Sequence, residues 1–296
     1  MRMLIIAVAI LTGCVNGNNQ ETDQSTTRSN NVSYLCVGME YSSRFGECPG
    51  CERDATRLSS LMKEKYGYKG EVLISEEATK SAVVSKMKKY VAATGEDGLF
   101  LFFYSGHGGQ EYLGYDEPEG ADDKDEYLCL YDYAMLDDEI WAIISQCRGR
   151  VFLYFDACHS ATMYRSVSSE LKLAAKNAFT NEPVAVALSL DQGDLIQSSG
   201  FTFKPENFVT ATPMSDESSQ NVRMLCWSGC KEAEYSYGSS LGGTLTSAVI
   251  AKWKKGATYG ALWEDVRSRV IREQPTQNPV QTFIGDGFTE EMEAFK

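Results

Sequence analysis

Histidine and basic residues are scarce in this sequence. The chain of 296 residues has two histidines, His107 and His159, and its 28 Lys and Arg stand against 41 Asp and Glu. The formal net charge is −13, with a pI of about 4.7. A surface that binds nucleic acid needs clustered Lys and Arg to displace counterions from the phosphates, so we expect no nucleic-acid partner. A hydrophobic share of 43% can still build a core, and a basic substrate suits the charge balance better than an acidic one.

Long hydrophobic runs are also missing. The run at residues 3–11 has nine apolar residues, too few to span a bilayer. Arg2 precedes this run, and Leu11-Thr12-Gly13-Cys14 ends it in a pattern that resembles a bacterial lipobox. We therefore predict that residues 1–14 are a lipoprotein signal peptide and that Cys14 carries the lipid; an ordinary secretory signal cleaved nearby is the alternative.

The predicted signal is followed by a polar stretch. Residues 15–31 are rich in Asn, Gln, Ser and Thr without periodicity, which predicts a solvated tether. The folded domain is then expected over residues 32–296. The protein is predicted to be exported, held at the membrane by its lipid anchor and monomeric.

Cysteine usage does not predict a disulfide framework. Setting aside Cys14 and Cys158, seven of the nine cysteines remain, an odd number: Cys36, Cys48, Cys51, Cys129, Cys147, Cys226 and Cys230. The CxxC pair Cys48 and Cys51 is typical of zinc or redox sites. No second CxxC exists and both histidines belong to other motifs, so a structural zinc site is not favoured.

The hydrophobic patterns alternate between two periods. Continuous apolar runs at residues 98–104 and 151–155 predict strands covered on both faces. Amphipathic spacing at residues 52–66 and 80–93 predicts helices. Further strands are predicted at residues 32–38, 71–75, 222–230 and 280–284, and further helices at 136–147, 170–179, 242–253 and 259–271. The alternation indicates an α/β fold with a mostly parallel sheet of about six strands and helices on both faces.

Chemistry-bearing residues follow two of the predicted strands. One strand ends in Asp156-Ala157-Cys158-His159 and another in Ser105-Gly106-His107-Gly108-Gly109. Side chains past the carboxyl ends of parallel strands lie in a reachable crevice. His159 follows Cys158 directly, so its side chain should diverge from the thiol, and we interpret it as loop structure.

Cys158 and His107 together predict nucleophilic catalysis. An imidazole can take the thiol proton and stabilise the thiolate. The backbone N–H groups of Gly108 and Cys158 could face a developing oxyanion. This set describes acyl transfer through a thioester, most simply peptide hydrolysis. The alternative interpretation is a core cysteine beside a loop histidine.

These residues resemble a known family, the caspase-like cysteine peptidases, specifically the metacaspases and their bacterial relatives. The similarity spans residues 32–285 in ordered blocks: Gly50-Cys51-Glu52-Arg53-Asp54-Ala55, Tyr104-Ser105-Gly106-His107-Gly108, Asp125-Glu126-Tyr127-Leu128 with Asp132, Asp156-Ala157-Cys158-His159-Ser160, Trp227-Ser228-Gly229-Cys230-Lys231 and Gly242-Gly243-Thr244-Leu245-Thr246. The resemblance implies a caspase-hemoglobinase fold in which His107 is the base and Cys158 the nucleophile.

The resemblance also implies a substrate preference. Metacaspases select Arg or Lys before the cut with an acidic pocket, and the matching positions are Asp54 and Asp156, with Ser105 and Cys51 nearby. Independently, two desolvated carboxylates favour a cationic side chain over an anionic one. Protein or peptide substrates with a basic P1 residue are therefore expected.

Two departures from the family pattern bear on these expectations. Ala161 stands where a glycine is usual. The acids that match metacaspase calcium ligands are Asp125, Asp137 and Asp138, but Arg165 occupies the place of a further acid. Asp137 and Asp138 also suit a helix N-terminus without any metal. We expect no cofactor to be required for the chemistry and keep Ca²⁺ as a candidate activator.

Self-processing is a further hypothesis. Arg165, Lys172 and Lys176 lie in the polar segment 164–220, where an enzyme of this specificity could cut its own chain. Two other interpretations compete with an active Arg/Lys-directed endopeptidase. One is a surface lipoprotein that keeps the fold as a binding module without turnover, and the other is a related peptidase of different specificity.

Overall fold

The computed structural model describes residues 31–112, 124–158, 222–231 and 234–296, with the side chains of residues 110–125 excepted. Within these ranges there are five α-helices: α1 (Cys51–Tyr66), α2 (Lys80–Ala93), α3 (Asp137–Ile144), α4 (Thr244–Lys252) and α5 (Tyr259–Glu273). The strands are β1 (Val32–Gly38), β2 (Tyr41–Ser42), β3 (Gly46–Glu47), β4 (Lys69–Ile74), β5 (Leu99–Ser105), β6 (Gly108–Tyr112), β7 (Lys124–Cys129), β8 (Ala134–Leu136), β9 (Arg150–Asp156), β10 (Arg223–Ser228), β11 (Gly238–Ser239), β12 (Gly242–Gly243) and β13 (Val280–Ile284).

Six strands form the central sheet, in the order β13-β10-β9-β5-β1-β4. All neighbours pair in parallel except β10 and β13, which are antiparallel. Strands β5 and β9 occupy the middle and are buried along nearly their whole length. Both faces of these strands are covered, which is why the sequence shows continuous apolar runs there rather than alternation. The mostly parallel sheet of about six strands is thus confirmed.

A hydrophobic core lies on each face of the sheet. On one face, Leu35 and Phe102 pack with residues of α2 and α3, such as Met87. On the other face, Cys36 and Phe103 pack with residues of α1, α4 and α5. Because successive strand residues point to opposite faces, each central strand contributes to both cores. This is the predicted arrangement of helices on both sides of the sheet.

Local signals explain where the helices begin and end. Helix α1 follows Gly50 and is closed by Gly67, both left-handed, with φ of 94° and 72°; glycine adopts that conformation without steric cost. Thr79 precedes α2, and its hydroxyl accepts a hydrogen bond from the Ala82 N–H at 3.3 Å, a typical N-cap. The predicted helix 242–253 starts two residues later because Gly242 and Gly243 form the short strand β12.

The sequence patterns did not predict three small β-structures. Strands β6, β7 and β8 form an antiparallel sheet, and the pairs β2–β3 and β11–β12 form two-residue ladders. These strands are too short or too polar to show apolar periodicity. All three adjoin predicted site residues: β6 begins directly after His107, β3 ends directly before Cys48, and Gly243 of β12 donates a hydrogen bond to Asp54.

Some predictions fall outside the described residues. These are the signal peptide 1–14 with Cys14, most of the tether 15–31 and the helix 170–179. Among the residues that the structure does describe, no helix combines the length and apolar character needed to cross a membrane.

Candidate active site

His107 and Cys158 leave the central sheet at the same edge. Strands β5 and β9 pair in parallel with Ser105 opposite Asp156. His107 and Cys158 each stand two residues beyond that last pair, so the parallel ladder brings them together from positions 51 residues apart in the chain. Cys158 is largely buried, with 7% of its surface exposed, and its thiol points to the Ser236 carbonyl oxygen at 3.6 Å.

The backbone around His107 fixes its ring and its main chain. Its Nε2 lies 2.8 Å from the carbonyl oxygen of Glu47. A carbonyl can only accept, so Nε2 must donate, and in the neutral ring the lone pair then resides on Nδ1. The His107 carbonyl accepts from the Tyr104 hydroxyl at 2.7 Å and from the Cys129 N–H at 3.0 Å. The bond to Glu47 therefore orients the ring, and the bonds to the carbonyl fix the main chain at His107.

Gly108 lies tightly against the chain at Cys158. A Cβ at this position would lie 2.4 Å from the Cys158 carbonyl oxygen, so no other residue fits without movement. In the β6–β7 ladder Gly108 faces Leu128, next to the bonded pair of His107 and Cys129. Gly108 therefore occupies a non-hydrogen-bonded position, which directs its N–H away from β7. This N–H is available for the oxyanion role predicted from the sequence.

Asp54, in the first turn of α1, is fully buried. Its Oδ2 accepts hydrogen bonds from the Ser105 hydroxyl at 2.9 Å and from the Gly243 N–H at 2.7 Å. Its Oδ1 is buried and has no hydrogen-bond partner among the described residues. A buried acceptor in this state is costly unless a ligand donates to it. Asp54 thus has one oxygen held in place and one oxygen ready for a donor.

Asp156, the last residue of β9, is held more completely. Its Oδ1 accepts from the Ser236 hydroxyl at 2.6 Å, and its Oδ2 accepts from the Thr246 N–H at 2.8 Å and the Thr246 hydroxyl at 2.9 Å. A Cβ on Gly243 would lie 2.2 Å from Asp156 Oδ2. Because Gly243 has no side chain, Asp54 and Asp156 can both lie close to strand β12.

Burial raises the cost of ionising both carboxylates, and the charge of Asp156 adds to that cost at Asp54. Burial, with the nearby charge of Asp156, raises the pKa of Asp54 to about 7 from its usual 3.8. Burial also raises the pKa of Asp156, against the lowering effect of its hydrogen bonds from Ser236 and Thr246. Two like charges in a desolvated site favour a shared proton or a bound cation. The pair is therefore a site that a cationic side chain would stabilise.

The other predicted pocket residues adjoin Asp54. Ser105 donates to it directly. Cys51, at the start of α1, is buried and its thiol interacts with the Ser105 hydroxyl. The structure thus brings together the four residues Cys51, Asp54, Ser105 and Asp156.

Several neighbouring residues were not singled out from the sequence. Gln277 is fully buried, and its Nε2 donates to the Gly229 carbonyl at 2.8 Å and to the Ser236 hydroxyl at 3.0 Å. Ser236 and Gln277 carry no sequence signal, since each is one polar residue among many. Thr246 and Gly243 lay in a recognised block, but their hydrogen bonds to the carboxylates could not be inferred from it. Glu47 binds His107 through its backbone carbonyl, a group that every residue has, so its residue type gave no signal.

The predicted calcium ligands are only partly described. Asp137 is buried in the first turn of α3, and Asp138 beside it is half-buried. Asp125 lies in β7, but its side chain is outside the described residues, as is Arg165. No group of three or more His, Cys, Asp or Glu side chains in the described ranges is placed to hold a metal ion. Calcium binding stays a prediction.

The remaining sequence-based site residues also lie outside the described ranges. They are His159, Ala161 and the candidate self-processing residues Arg165, Lys172 and Lys176. Their predicted roles stay predictions.

The sheet order and the pair of strand exits define an α/β fold of the caspase type. Residues 34–284 match the family model of the caspase domain of C14 peptidases. The chain belongs to this family. The fold and family inferred from the sequence are therefore confirmed.

Curated relatives identify the branch of the family to which the chain is similar. Metacaspase-1 of Pyricularia oryzae is 29% identical over 286 residues, covering 83% of this chain and 69% of that protein. Metacaspase-1 of Schizosaccharomyces pombe is 27% identical over 299 residues, covering 90% of this chain and 65% of that protein. The chain spans 53% of Metacaspase-1 of Cryptococcus neoformans. These relatives support a caspase-like cysteine peptidase.

Two solved structures share the fold. The Geobacter sulfurreducens protein GSU0716 superposes with a TM-score of 0.60 at 21% identity, covering 89% of this chain and 97% of that one. Caspase-1 of Spodoptera frugiperda superposes with a TM-score of 0.51 at 12% identity, covering 86% and 87%. At such identities the likeness concerns the fold alone.

Proposed function

We propose that this protein is a cysteine endopeptidase that cleaves peptide bonds after Arg or Lys, with Cys158 as nucleophile and His107 as base. The observation that carries the proposal is the exit of both residues from adjacent parallel strands at one sheet edge, with His107 Nε2 bonded to the Glu47 carbonyl. That bond leaves Nδ1 as the proton acceptor. The metacaspase relatives agree with this chemistry.

The proposed reaction has two halves. His107 Nδ1 takes the Cys158 proton, and the thiolate attacks the scissile carbonyl carbon to give a tetrahedral oxyanion facing the N–H groups of Gly108 and Cys158. The intermediate collapses to a thioester, and the amine leaves with the proton from His107. Water, deprotonated by His107, then attacks the thioester and releases the acid and the thiol.

The proposed specificity rests on Asp54 and Asp156. Their raised pKa values mean that two negative charges together in this pocket are energetically unfavourable. A guanidinium or ammonium group would remove that penalty, and Asp54 Oδ1 offers it a buried acceptor without a partner in the described part of the chain. An aspartate side chain would add a further negative charge and should be rejected.

Four further expectations stand as proposals beside this one. The protein is proposed to be an exported, monomeric lipoprotein anchored through Cys14, to have Ca²⁺ as a candidate activator and to process itself after Arg165, Lys172 or Lys176. Incubating purified protein beside its Cys158→Ala variant, with and without Ca²⁺, tests self-processing. Identical intact bands would contradict it. Metabolic labelling with a fatty acid tests Cys14.

A set of matched peptides tests the main proposal. Wild-type protein and Cys158→Ala are assayed with peptides that differ only at P1, as Arg, Lys or Asp, with and without Ca²⁺. We expect hydrolysis of the Arg and Lys peptides and a loss of about 10⁴-fold or more in Cys158→Ala. Cys226→Ala, which alters a buried thiol in β10 opposite Leu153, is the matched control.

The outcomes separate the competing interpretations. No thiol-dependent turnover of any peptide, with the protein folded, would support a binding module and contradict the enzyme. Preference for the Asp peptide would retain the enzyme but contradict the pocket assignment.

A further inference from the structure

The motif Cys48-Pro49-Gly50-Cys51 places two thiols side by side beside the pocket. Their Sγ atoms lie 3.1 Å apart. Gly50, in a left-handed conformation, closes the turn, and Cys51 opens α1. A disulfide needs an S–S separation of about 2.05 Å, so a shift of about 1 Å would join the pair. The turn is therefore preorganised for a disulfide but holds two thiols.

This turn contacts the proposed active site at three points. The Cys51 thiol interacts with the Ser105 hydroxyl, which donates to Asp54. A Cβ on Gly50 would lie 2.6 Å from the Gly242 N, so the turn packs against the glycine pair that borders both carboxylates.

The third contact leads to the base. Cys48 directly follows Glu47, whose carbonyl accepts the hydrogen bond from His107 Nε2. The Cys48 N–H is itself fixed by the Glu40 carbonyl at 2.8 Å. A movement of Cys48 toward Cys51 would therefore displace Glu47, whose carbonyl orients the His107 ring.

The two thiols differ in access. Cys48 is half-buried, whereas Cys51 is 5% exposed. The hydrogen bond with Cys48 and burial raise the pKa of Cys51, which makes Cys51 the poorer initial nucleophile. An external disulfide can thus reach Cys48 first, and Cys51 then lies close enough to complete the exchange.

We propose that Cys48 and Cys51 form a reversible dithiol/disulfide site whose oxidation slows the turnover of basic substrates. The oxidant is a small-molecule or protein disulfide, RSSR. The Cys48 thiolate attacks it to give a mixed disulfide and releases RS⁻; the Cys51 thiolate then displaces the second RS⁻. The two cysteines are oxidised, RSSR is reduced to two RSH, and the two cysteine protons pass to the leaving thiolates.

Oxidation should weaken both parts of the site. The shift of about 1 Å withdraws the Cys51 thiol from Ser105 and draws Glu47 away from His107, and misplacement of this size can cost on the order of 10²-fold in rate. We expect a fall of about tenfold or more in kcat/KM for the Arg peptide. The expected effect of oxidation on turnover rests on the proposed function, whereas formation of the Cys48–Cys51 disulfide does not.

Peptide mapping tests the disulfide without any activity. The full-length Cys158→Ala chain, which lacks the catalytic thiol, is equilibrated in glutathione buffers of increasing oxidised fraction, and free thiols are then alkylated. Trypsin cuts after Arg44 and Arg53, which places Cys48 and Cys51 alone together in the peptide 45–53. We expect this peptide to lose both alkyl labels at once and to appear 2 Da lighter than its reduced form. Retention of both labels in every buffer, a lasting glutathione adduct or a link to Cys129 would overturn the site.

A second measurement tests the regulation. Wild type and Cys48→Ser are oxidised in the same buffers and assayed with the Arg peptide; Cys48→Ala replaces the serine variant if that variant does not fold. In the same oxidising buffer, we expect the wild-type rate to fall about tenfold or more and the rate of Cys48→Ser to change less than about twofold. An equal fall in both proteins would assign the response to another thiol and overturn the regulation. Reduced proteins that are folded but turn over no peptide would overturn the proposed function, and the regulation with it, while the mapping still decides the disulfide.

Discussion

The surroundings of His107 and the acidic pocket are built in different ways, although both lie at one edge of the sheet. His107 is held by two main-chain groups, the Glu47 carbonyl at its ring and the Cys129 N–H at its carbonyl, and by one side-chain donor, the Tyr104 hydroxyl. Asp54 and Asp156 are held by side chains as well, from segments far apart in the sequence. The first arrangement depends on residue type mainly at Tyr104, whereas the second depends on the hydroxyls of Ser105, Ser236 and Thr246.

Among changes in the pocket, the largest effect should follow from closing it at Gly243. In Gly243→Ala the new Cβ would meet Asp156 Oδ2 at 2.2 Å, and β12 and Asp156 cannot both keep their places. We expect kcat/KM for the Arg peptide to fall on the order of 10²- to 10³-fold, since small displacements in a site are costly. Gly95→Ala is the control, because a Cβ there meets nothing within 4 Å. Normal rates in Gly243→Ala would contradict the described packing.

Neutralising Asp54 should remove the preference for positive charge. We compare peptides with Arg or citrulline at P1, which have nearly the same shape but differ in charge. In Asp54→Asn the ratio of their kcat/KM values should fall about 10²-fold, because a charged hydrogen bond in a desolvated pocket is lost. The exposed residue Asp97 provides the control Asp97→Asn. An unchanged ratio would assign the preference elsewhere.

The same ratio should depend on pH. The pKa of Asp54 is raised to about 7 by burial and by Asp156, so Asp54 in the free enzyme loses its charge below that pH. The Arg-to-citrulline ratio should therefore rise on the order of tenfold between about pH 5.5 and about pH 8. Both peptides are cleaved by the same residues, so any effect of pH on the chemical step cancels in this ratio. A ratio that is flat with pH, or that falls as pH rises, would contradict the raised pKa.

A smaller effect is expected from removing the support of Asp156. Ser236→Ala deletes the hydroxyl that donates to Asp156 Oδ1 at 2.6 Å and meets Gln277 Nε2 at 3.0 Å. We expect KM for the Arg peptide to rise about tenfold with a lesser change in kcat, as loss of a hydrogen bond to a charged group implies. The exposed Ser240 gives the control Ser240→Ala. Equal behaviour of the two variants would mean that Asp156 needs no such support.

The smallest effect concerns stability. Because the pKa of Asp54 is about 7 in the folded protein and usually 3.8, the folded state keeps a proton that the unfolded chain releases between these values. The free energy of unfolding should therefore fall as pH rises from about 4 to about 7. Asp54→Asn does not titrate, so it should gain on the order of 1 kcal/mol relative to wild type between about pH 5 and about pH 8. Urea unfolding at both pH values measures this difference, and parallel losses in the two proteins would contradict it.

The contrast between the two regions also explains what the sequence could predict. The positions of His107 and Cys158 follow from two apolar strands and the short motifs after them, and these signals are local. The residues Ser236, Thr246 and Gln277 converge on Asp156 or on each other only after folding, and none has a periodic pattern. The small sheet of β6, β7 and β8 was missed for a related reason, since its strands lack an apolar run.

Affinity labelling tests the central claim most directly. A peptide chloromethyl ketone with Arg at P1 is incubated with reduced protein beside its citrulline analogue, and the label is mapped after trypsin digestion. Cleavage after Arg150 and Arg165 isolates Cys158 as the one cysteine of peptide 151–165. We predict that the Arg reagent labels Cys158 on the order of 10²-fold faster than the citrulline reagent, because Asp54 and Asp156 bind the positively charged side chain more tightly than the neutral one. Labelling of another cysteine first, or equal rates for the two reagents, would contradict the account.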